Sequence, residues 1–233
     1  MRETIEQGLT QLGLDPAAAP VLERYGQLLL EKNQVMNLTA ITEPVQVAQL
    51  HMLDCAALAS RWDLAGKRLL DVGTGAGFPG LVLKILCPSL RLTLLDSMKK
   101  RLDWLEEVCA ALGLEGVALL HGRAEEQAAD PALRGRFDYV TARAVANLSI
   151  LCELCLPYVK TGGAFLAMKS TDSGEELLAA GMAIKALGGW LEETWDYAIP
   201  TADVTHRVVV LRKGSPTPPQ YPRRFGQIKK KPL

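Results

Sequence analysis

Hydrophobic positions along the chain keep two different rhythms. Over residues 1–62 they recur at helical spacing. "ETIEQGLTQLGL", "APVLERYGQLLLEKNQVMN" and "EPVQVAQLHMLDCAALAS" each predict an amphipathic helix, with Pro16 suited to a first helical turn. Beyond residue 62, short apolar runs alternate with helical patterns. "KRLLDV", "RLTLLD", "GVALLHG", "FDYVTARA" and "GGAFLAMKS" predict strands, and "PGLVLKILC", "KKRLDWLEEVCAALG", "NLSILCELCLPYV" and "GEELLAAGMAIKALG" predict helices among them. Such alternation implies βαβ units and a mostly parallel sheet covered by helices on both faces. "LEETWDYAI" and "HRVVVLRK" follow with no helix between them and predict an antiparallel pair at the sheet edge. The expected organisation is a helical extension at 1–62 packed on an α/β domain at 63–214. A basic, proline-containing arm at 215–233 follows, read as extended because it holds five prolines and little apolar content.

Length and composition suit one sizeable domain with an appendage, since 233 residues with 48% hydrophobic and 22% charged content can bury a real core. Lys84 and Arg91 interrupt the longest apolar stretch, which stays short of the ~18–20 residues of a membrane span. The N-terminus "MRETIEQGLT" has acids where a signal peptide would be basic and then apolar, so a cytoplasmic protein is expected. The five cysteines show no disulfide spacing. Cys152 and Cys155 form a C-x-x-C, but inside an apolar helical pattern with no second pair, so they read as structural thiols and no metal site is expected. Charge changes the picture more. Net charge is zero, yet eight of the 26 bases and none of the 26 acids lie after Asp203. A basic tail on an acidic body suits a polyanion, with Arg207, Arg223, Arg224, Lys229 and Lys230 as candidate phosphate contacts; a solvated tail is the plainer reading.

Candidate chemistry gathers at "LLDVGTGAGFPG", residues 69–80, with four glycines in eight positions. Gly75 to Gly80 fits the dinucleotide fingerprint G-x-G-x-x-G. Gly73 and Gly75 equally suit a strand that turns around S-adenosylmethionine. Asp96, ending the second strand, can accept hydrogen bonds from ribose hydroxyls in either case. Two features favour S-adenosylmethionine: Asp71 would repel a pyrophosphate, and "GRAEE" at 122–126 offers Ala124 and Glu125 to an adenine edge. The strand inventory, five βα steps and an antiparallel edge pair, is that of a class I S-adenosylmethionine-dependent methyltransferase: Rossmann-like α/β, mostly parallel, seven-stranded. Catalytic signatures are sparse. No Asn/Asp-Pro-Pro-aromatic motif follows the fourth strand at "TARAVAN", no cysteine lies near it, and none of His51, His121 and His206 follows the fourth or fifth strand. No catalytic base is therefore expected, and a ring nitrogen with a lone pair, such as guanine N7, needs none.

Taken together, "NLTAI", "HMLDC", "LLDVGTGAGFPGLVLKI", "LLDSMKKRLDWL", "FDYVTARAVANL" and "YPRRFGQIKKKPL" resemble the small-subunit ribosomal RNA guanine-N7 methyltransferase family, formerly called glucose-inhibited division protein B. The resemblance runs from about residue 20 to the C-terminus. It implies a bacterial enzyme that methylates N7 of one guanine in the decoding-region loop of 16S rRNA, with naked rRNA, the 30S subunit or an assembly intermediate as partner. No obligate protein partner is implied, and a monomer is expected. Carried over by position, the cofactor contacts are Gly73, Phe78, Ala124, Glu125 and Arg143, and the RNA-facing residues are His51 and Lys169. Asn37 either hydrogen-bonds a base or caps the second helix, Phe78 packs on the cofactor or starts a helix, and Arg143 otherwise pairs with Asp71 or Asp96. The chain departs from the family pattern at Gln49-Leu50, where an arginine usually precedes the histidine, at Cys55, which replaces serine, and at "MKS" in place of "LKG".

Overall fold

The computed structural model describes residues 1–143 and 146–233; Ala144 and Val145 of the "TARAVAN" stretch lie outside the described residues. Seven strands there form one sheet: β1 Arg68–Val72, β2 Arg91–Asp96, β3 Val117–His121, β4 Phe137–Arg143, β5 Val159–Ser170, β6 Gly189–Ala198 and β7 Thr205–Lys213. Their order is β3-β2-β1-β4-β5-β7-β6. The first five strands pair in parallel, and β7 runs antiparallel to both β5 and β6. The order reverses between β1 and β4, so the crevice beyond their carboxyl ends is the switch point where such sheets bind ligands.

Side chains alternate across the sheet because the strand period is two. Leu69, Leu92, Leu94, Leu166 and Val208 enter one buried cluster, and Leu70, Val72, Leu95, Phe165 and Val209 enter the other. The first cluster also takes in Ile5 and Leu9 of α1 (Arg2–Gln11) and Leu22 and Leu29 of α2 (Ala19–Met36), so the helical extension shares its core with the sheet. Helices α5 (Gly80–Leu86) and α6 (Lys99–Leu112) complete that face, and Trp104 is buried there. Helix α8 (Leu148–Cys155) and α10 (Gly181–Ala186) cover the opposite face. Cys152 and Cys155 are buried on α8, and burial pushes both thiols well above their usual range.

Two expectations change. The third helix is α3 (Pro44–Val47), a π-helical stretch (Ala48–Leu53) and α4 (Asp54–Arg61) in succession. A wider turn of this kind breaks the 3.6-residue rhythm without leaving a mark in hydropathy. The C-terminal segment is a packed strap rather than an extended arm. It ends in a short helix, α11 (Phe225–Lys230), whose Ile228 is fully buried. Arg223 donates its guanidinium and backbone N–H to Glu153, a carboxylate on α8 with no exposure. Lys213 is buried as well: its ammonium donates to the carbonyls of Leu156 and Leu187 and to Thr217, and burial lowers its pKa to about 7. Proline content suggested an open chain; a buried acid and a buried ammonium override it.

Candidate active site

The glycine loop after β1 is held from beneath. Gly73, at φ +68, occupies the left-handed region that a residue with a Cβ adopts only at a cost. The N–H groups of Gly73 and Thr74 both donate to the Leu95 carbonyl, at 2.8 and 3.1 Å. Asp71 was expected to face the ligand, and this is a correction: its carboxylate is fully buried. It accepts from Thr74 Oγ1 at 2.7 Å, the Gly80 N–H at 3.1 Å and Thr141 Oγ1 at 3.1 Å. Burial raises its pKa to about 6 against the pull of those three hydrogen bonds. Asp71 therefore clamps the loop between β4 and the start of α5, and repulsion of a pyrophosphate is not its role.

Two cavities open on this loop and meet at Gly73 and Arg101. The smaller, about 310 Å³, is walled by Asp96, Gly122, Ala124, Glu125, Leu154 and Phe225 in addition to Gly73 and Arg101. The larger, about 730 Å³, is lined by Thr39, His51, Asp54, Phe78, Arg143, Lys169 and His206 among others. Asp96 sits at the entrance to the smaller lobe, nearly buried. Its carboxylate accepts from the N–H groups of Gly75 at 3.0 Å and Met98 at 2.8 Å, and from Arg101 at 3.3 Å. A carboxylate offers about four acceptor positions, so capacity remains for a hydroxyl.

The larger lobe is built around Arg143, at the end of β4. Its guanidinium donates to the Leu50 carbonyl at 3.0 Å, Asp54 Oδ2 at 3.1 Å and His51 Nδ1 at 3.1 Å. Its partner is thus Asp54, and neither Asp71 nor Asp96. Arginine has five N–H donors, so two remain for a ligand. Asp54 Oδ1 accepts from Tyr197 at 2.7 Å and His206 Nδ1 at 2.8 Å. Burial alone would raise the Asp54 pKa, but the His206 hydrogen bond, the Arg143 charge and Tyr197 together hold it below the usual value. The same hydrogen bond, opposed by partial burial, raises that of His206.

His51 and Phe78 complete a stack. Phe78 lies between Tyr25, 5.2 Å away, and His51, 4.7 Å away, with Arg143 5.0 Å from its ring centre. His51 Nδ1 lies 3.1 Å from the Leu50 carbonyl as well as 3.1 Å from the Arg143 guanidinium. Its Nε2 lies 2.8 Å from Thr39 Oγ1. Burial and the Arg143 charge depress the His51 pKa to about 4, so the ring is neutral near pH 7.

The remaining sequence candidates divide. Lys169 lines the larger lobe, and its ammonium donates to the Ala146 carbonyl and to Glu176, both at 2.7 Å. Asn37, at φ +50, caps α2, and its N–H donates to the Asn33 carbonyl. Among the tail bases, Arg207 is held bidentately by Asp196 and Arg223 by Glu153. Arg224, Lys229 and Lys230 are exposed and make no ion pair among the described residues. The sequence reading missed Asp54, Tyr197, Arg101 and Phe225. "HMLDC" held Asp54 in plain view, but its partners lie 89 and 143 residues away.

Fold and site together define a class I S-adenosylmethionine-dependent methyltransferase: a doubly covered sheet with an antiparallel edge, and a ligand crevice at its switch point beside a glycine loop. The chain belongs to the rRNA small subunit methyltransferase G family, whose model matches residues 19–195. It is 47% identical to the ribosomal RNA small subunit methyltransferase G of Symbiobacterium thermophilum, covering 100% of this chain and 98% of that one. Solved structures of similar fold include the mitomycin 7-O-methyltransferase, with a TM-score of 0.57 and 17% identity over 82% of this chain and 60% of that chain. A SAM-dependent O-methyltransferase of Thermotoga maritima has a TM-score of 0.55 and 17% identity, covering 80% of this chain and 72% of that one.

Proposed function

We propose that this enzyme transfers the methyl group of S-adenosylmethionine to N7 of one guanine in 16S rRNA. The observation that carries the reading is the pair of lobes meeting at Gly73 beyond the ends of β1 and β4. The smaller lobe suits a nucleoside: Asp96 has acceptor capacity left for a ribose hydroxyl, and Ala124 and Glu125 line the lobe for an adenine edge. Gly73 lacks the Cβ that would block a methionine chain passing between lobes. The two remaining N–H groups of Arg143 suit a carboxylate. When bound, the cofactor supplies an electrophilic methyl group on a sulfonium centre.

The residues of this chain then have positioning roles. Phe78, His51 and Arg143 form a stiff wall for a base in the larger lobe. Guanine N7 carries no proton, so alignment of nucleophile and methyl group supplies the catalysis, and no proton has to be removed. Both nitrogens of His51 have protein partners, Nδ1 the Leu50 carbonyl and Arg143 and Nε2 Thr39, which fixes the ring in that wall. Arg224, Lys229 and Lys230 supply a basic surface for phosphates. Among the described residues no helix is long and apolar enough to cross a membrane. A ribosomal RNA substrate supports a cytoplasmic site of action, and we infer a monomer.

The test is to map 7-methylguanine in 16S rRNA from cells with and without this protein, and to offer the purified enzyme naked rRNA and 30S particles in parallel. Loss of one 7-methylguanine on deletion, restored by the enzyme in one of the two reactions, is the expected result. An unchanged map would overturn the assignment.

A further inference from the structure

The smaller lobe has one wall that the fold's ordinary elements do not supply. Phe225, the first residue of α11, closes it opposite Asp96 and Gly122. The ring is bracketed by two anchors. Two residues before it, Arg223 is tied to the buried carboxylate of Glu153 at 2.6 Å; three residues after it, Ile228 is fully buried. Arg123 covers the ring, with its guanidinium carbon 4.7 Å from the ring centre. Arg123 is itself held by Glu125 at 2.7 Å, and Glu125 belongs to the same lobe. An aromatic side chain is thus fixed at the edge of the cavity beside a cation, Arg123, that lines the same lobe.

We propose that Phe225 is a cofactor-contact residue, setting the lobe's preference for a flat purine. This rests on the assignment of the smaller lobe to the adenosine half of S-adenosylmethionine. A purine has a polarisable face, and stacking on an aromatic ring is insensitive to its hydrogen-bonding edge. Ala124 and Glu125 then read the edge, while Phe225 holds the plane. The strap at 215–233 is by this account part of the cofactor site as well as a carrier of bases.

The experiment uses the full chain and two probes, S-adenosylhomocysteine and 5′-methylthioadenosine, which share the nucleoside and differ in the amino-acid arm. Calorimetry on Phe225→Ala is expected to show a loss of roughly tenfold for both probes, by the same factor. Phe225→Leu keeps apolar bulk in place of the ring, so the melting temperature should stay close to that of the parent while affinity still falls. Phe225→Tyr should restore it. If the parent binds neither probe, the assignment of the lobe fails. If the parent binds both and Phe225→Leu binds them equally well, the role of Phe225 is overturned. A loss confined to S-adenosylhomocysteine would also overturn it, by placing the effect on the amino-acid arm.

Discussion

The Arg143 guanidinium donates to Asp54 Oδ2 at 3.1 Å, fastening the end of β4 to the start of α4. One carboxylate oxygen serves Arg143 while the other serves Tyr197 on β6 and His206 on β7. The helical extension, the parallel half of the sheet and its antiparallel edge are joined at one buried acid. Asp54→Ala leaves a buried arginine without its counter-charge, which costs roughly 3–5 kcal/mol. Urea unfolding should show a loss of that order, and a loss under ~1 kcal/mol would remove Asp54 from this role.

Gly73→Val puts a β-branched side chain at φ +68 and in the passage between the lobes. The backbone strain is about 1–2 kcal/mol, which a stable fold survives. Binding of S-adenosylmethionine should vanish in calorimetry while the protein still melts cooperatively. Parent-like affinity would show that the cofactor does not pass this point.

His51 gives stability a pH dependence of known sign. Its folded pKa is about 4 and its ordinary value 6.5. Between those values the unfolded chain takes a proton that the folded chain refuses, so acidification from pH 6.5 to 4 destabilises. The contribution is roughly 3 kcal/mol. Asp71 acts in the opposite direction, because its folded pKa of about 6 lies above its ordinary 3.8. Its stabilisation is present below pH ~4 and is lost as pH rises toward 6. The parent's curve is therefore flatter than either group alone would make it. The stability difference between the parent and His51→Gln isolates the histidine and should grow by roughly 3 kcal/mol from pH 4 to 6.5. A difference that shrinks over this window would mean a charged histidine in the fold.

The tail bases should separate by role. Arg223→Ala strands the buried Glu153 carboxylate and should lower stability by roughly 3–5 kcal/mol. Lys229→Gln with Lys230→Gln should leave stability nearly unchanged and flatten the salt dependence of RNA binding by about 0.7–0.9 of a log unit per lost phosphate contact. Removal of residues 215–233 should weaken cofactor binding by at least the roughly tenfold expected for Phe225→Ala, since Phe225 goes with it. Salt slopes identical to the parent's in the double lysine variant would confine these side chains to solvent.

Turnover at saturating substrates should be nearly flat from pH ~6 to 9, because the proposed transfer to guanine N7 requires no proton to be removed. His206 is the histidine to check, since it lines the larger lobe and its pKa is raised. A limb that disappears in His206→Asn would identify a base and argue for an acceptor that carries a proton.

Local pattern reported the fold well and the site unevenly. The strands and the glycine loop were legible because period and turn chemistry are local properties. Asp71 was visible but its direction was not: the strand period cannot tell a carboxylate facing a ligand from one turned under the loop toward Thr74, Gly80 and Thr141. Arg143 suggested two acids within reach of a strand end and found a third, brought in by the π-helical turn. The tail misled through composition, since proline and lysine counts carry no trace of a buried Glu153 70 residues earlier in the chain. Phe225 had no signal at all; an aromatic residue in a basic segment becomes part of a site only when the segment folds back.

Two lobes that touch at Gly73 have a consequence for inhibition. Because the two linings share Gly73 and Arg101, a single molecule can address both. An adenosine extended from its 5′ carbon to a purine would place one ring system beside Asp96 and Phe225 and the other beside Phe78 and Arg143. Tethering makes the second contact intramolecular, and affinity then grows through effective concentration rather than new chemistry. A protein offering only the smaller lobe would meet half of such a ligand, so its selectivity would come from the gap it spans.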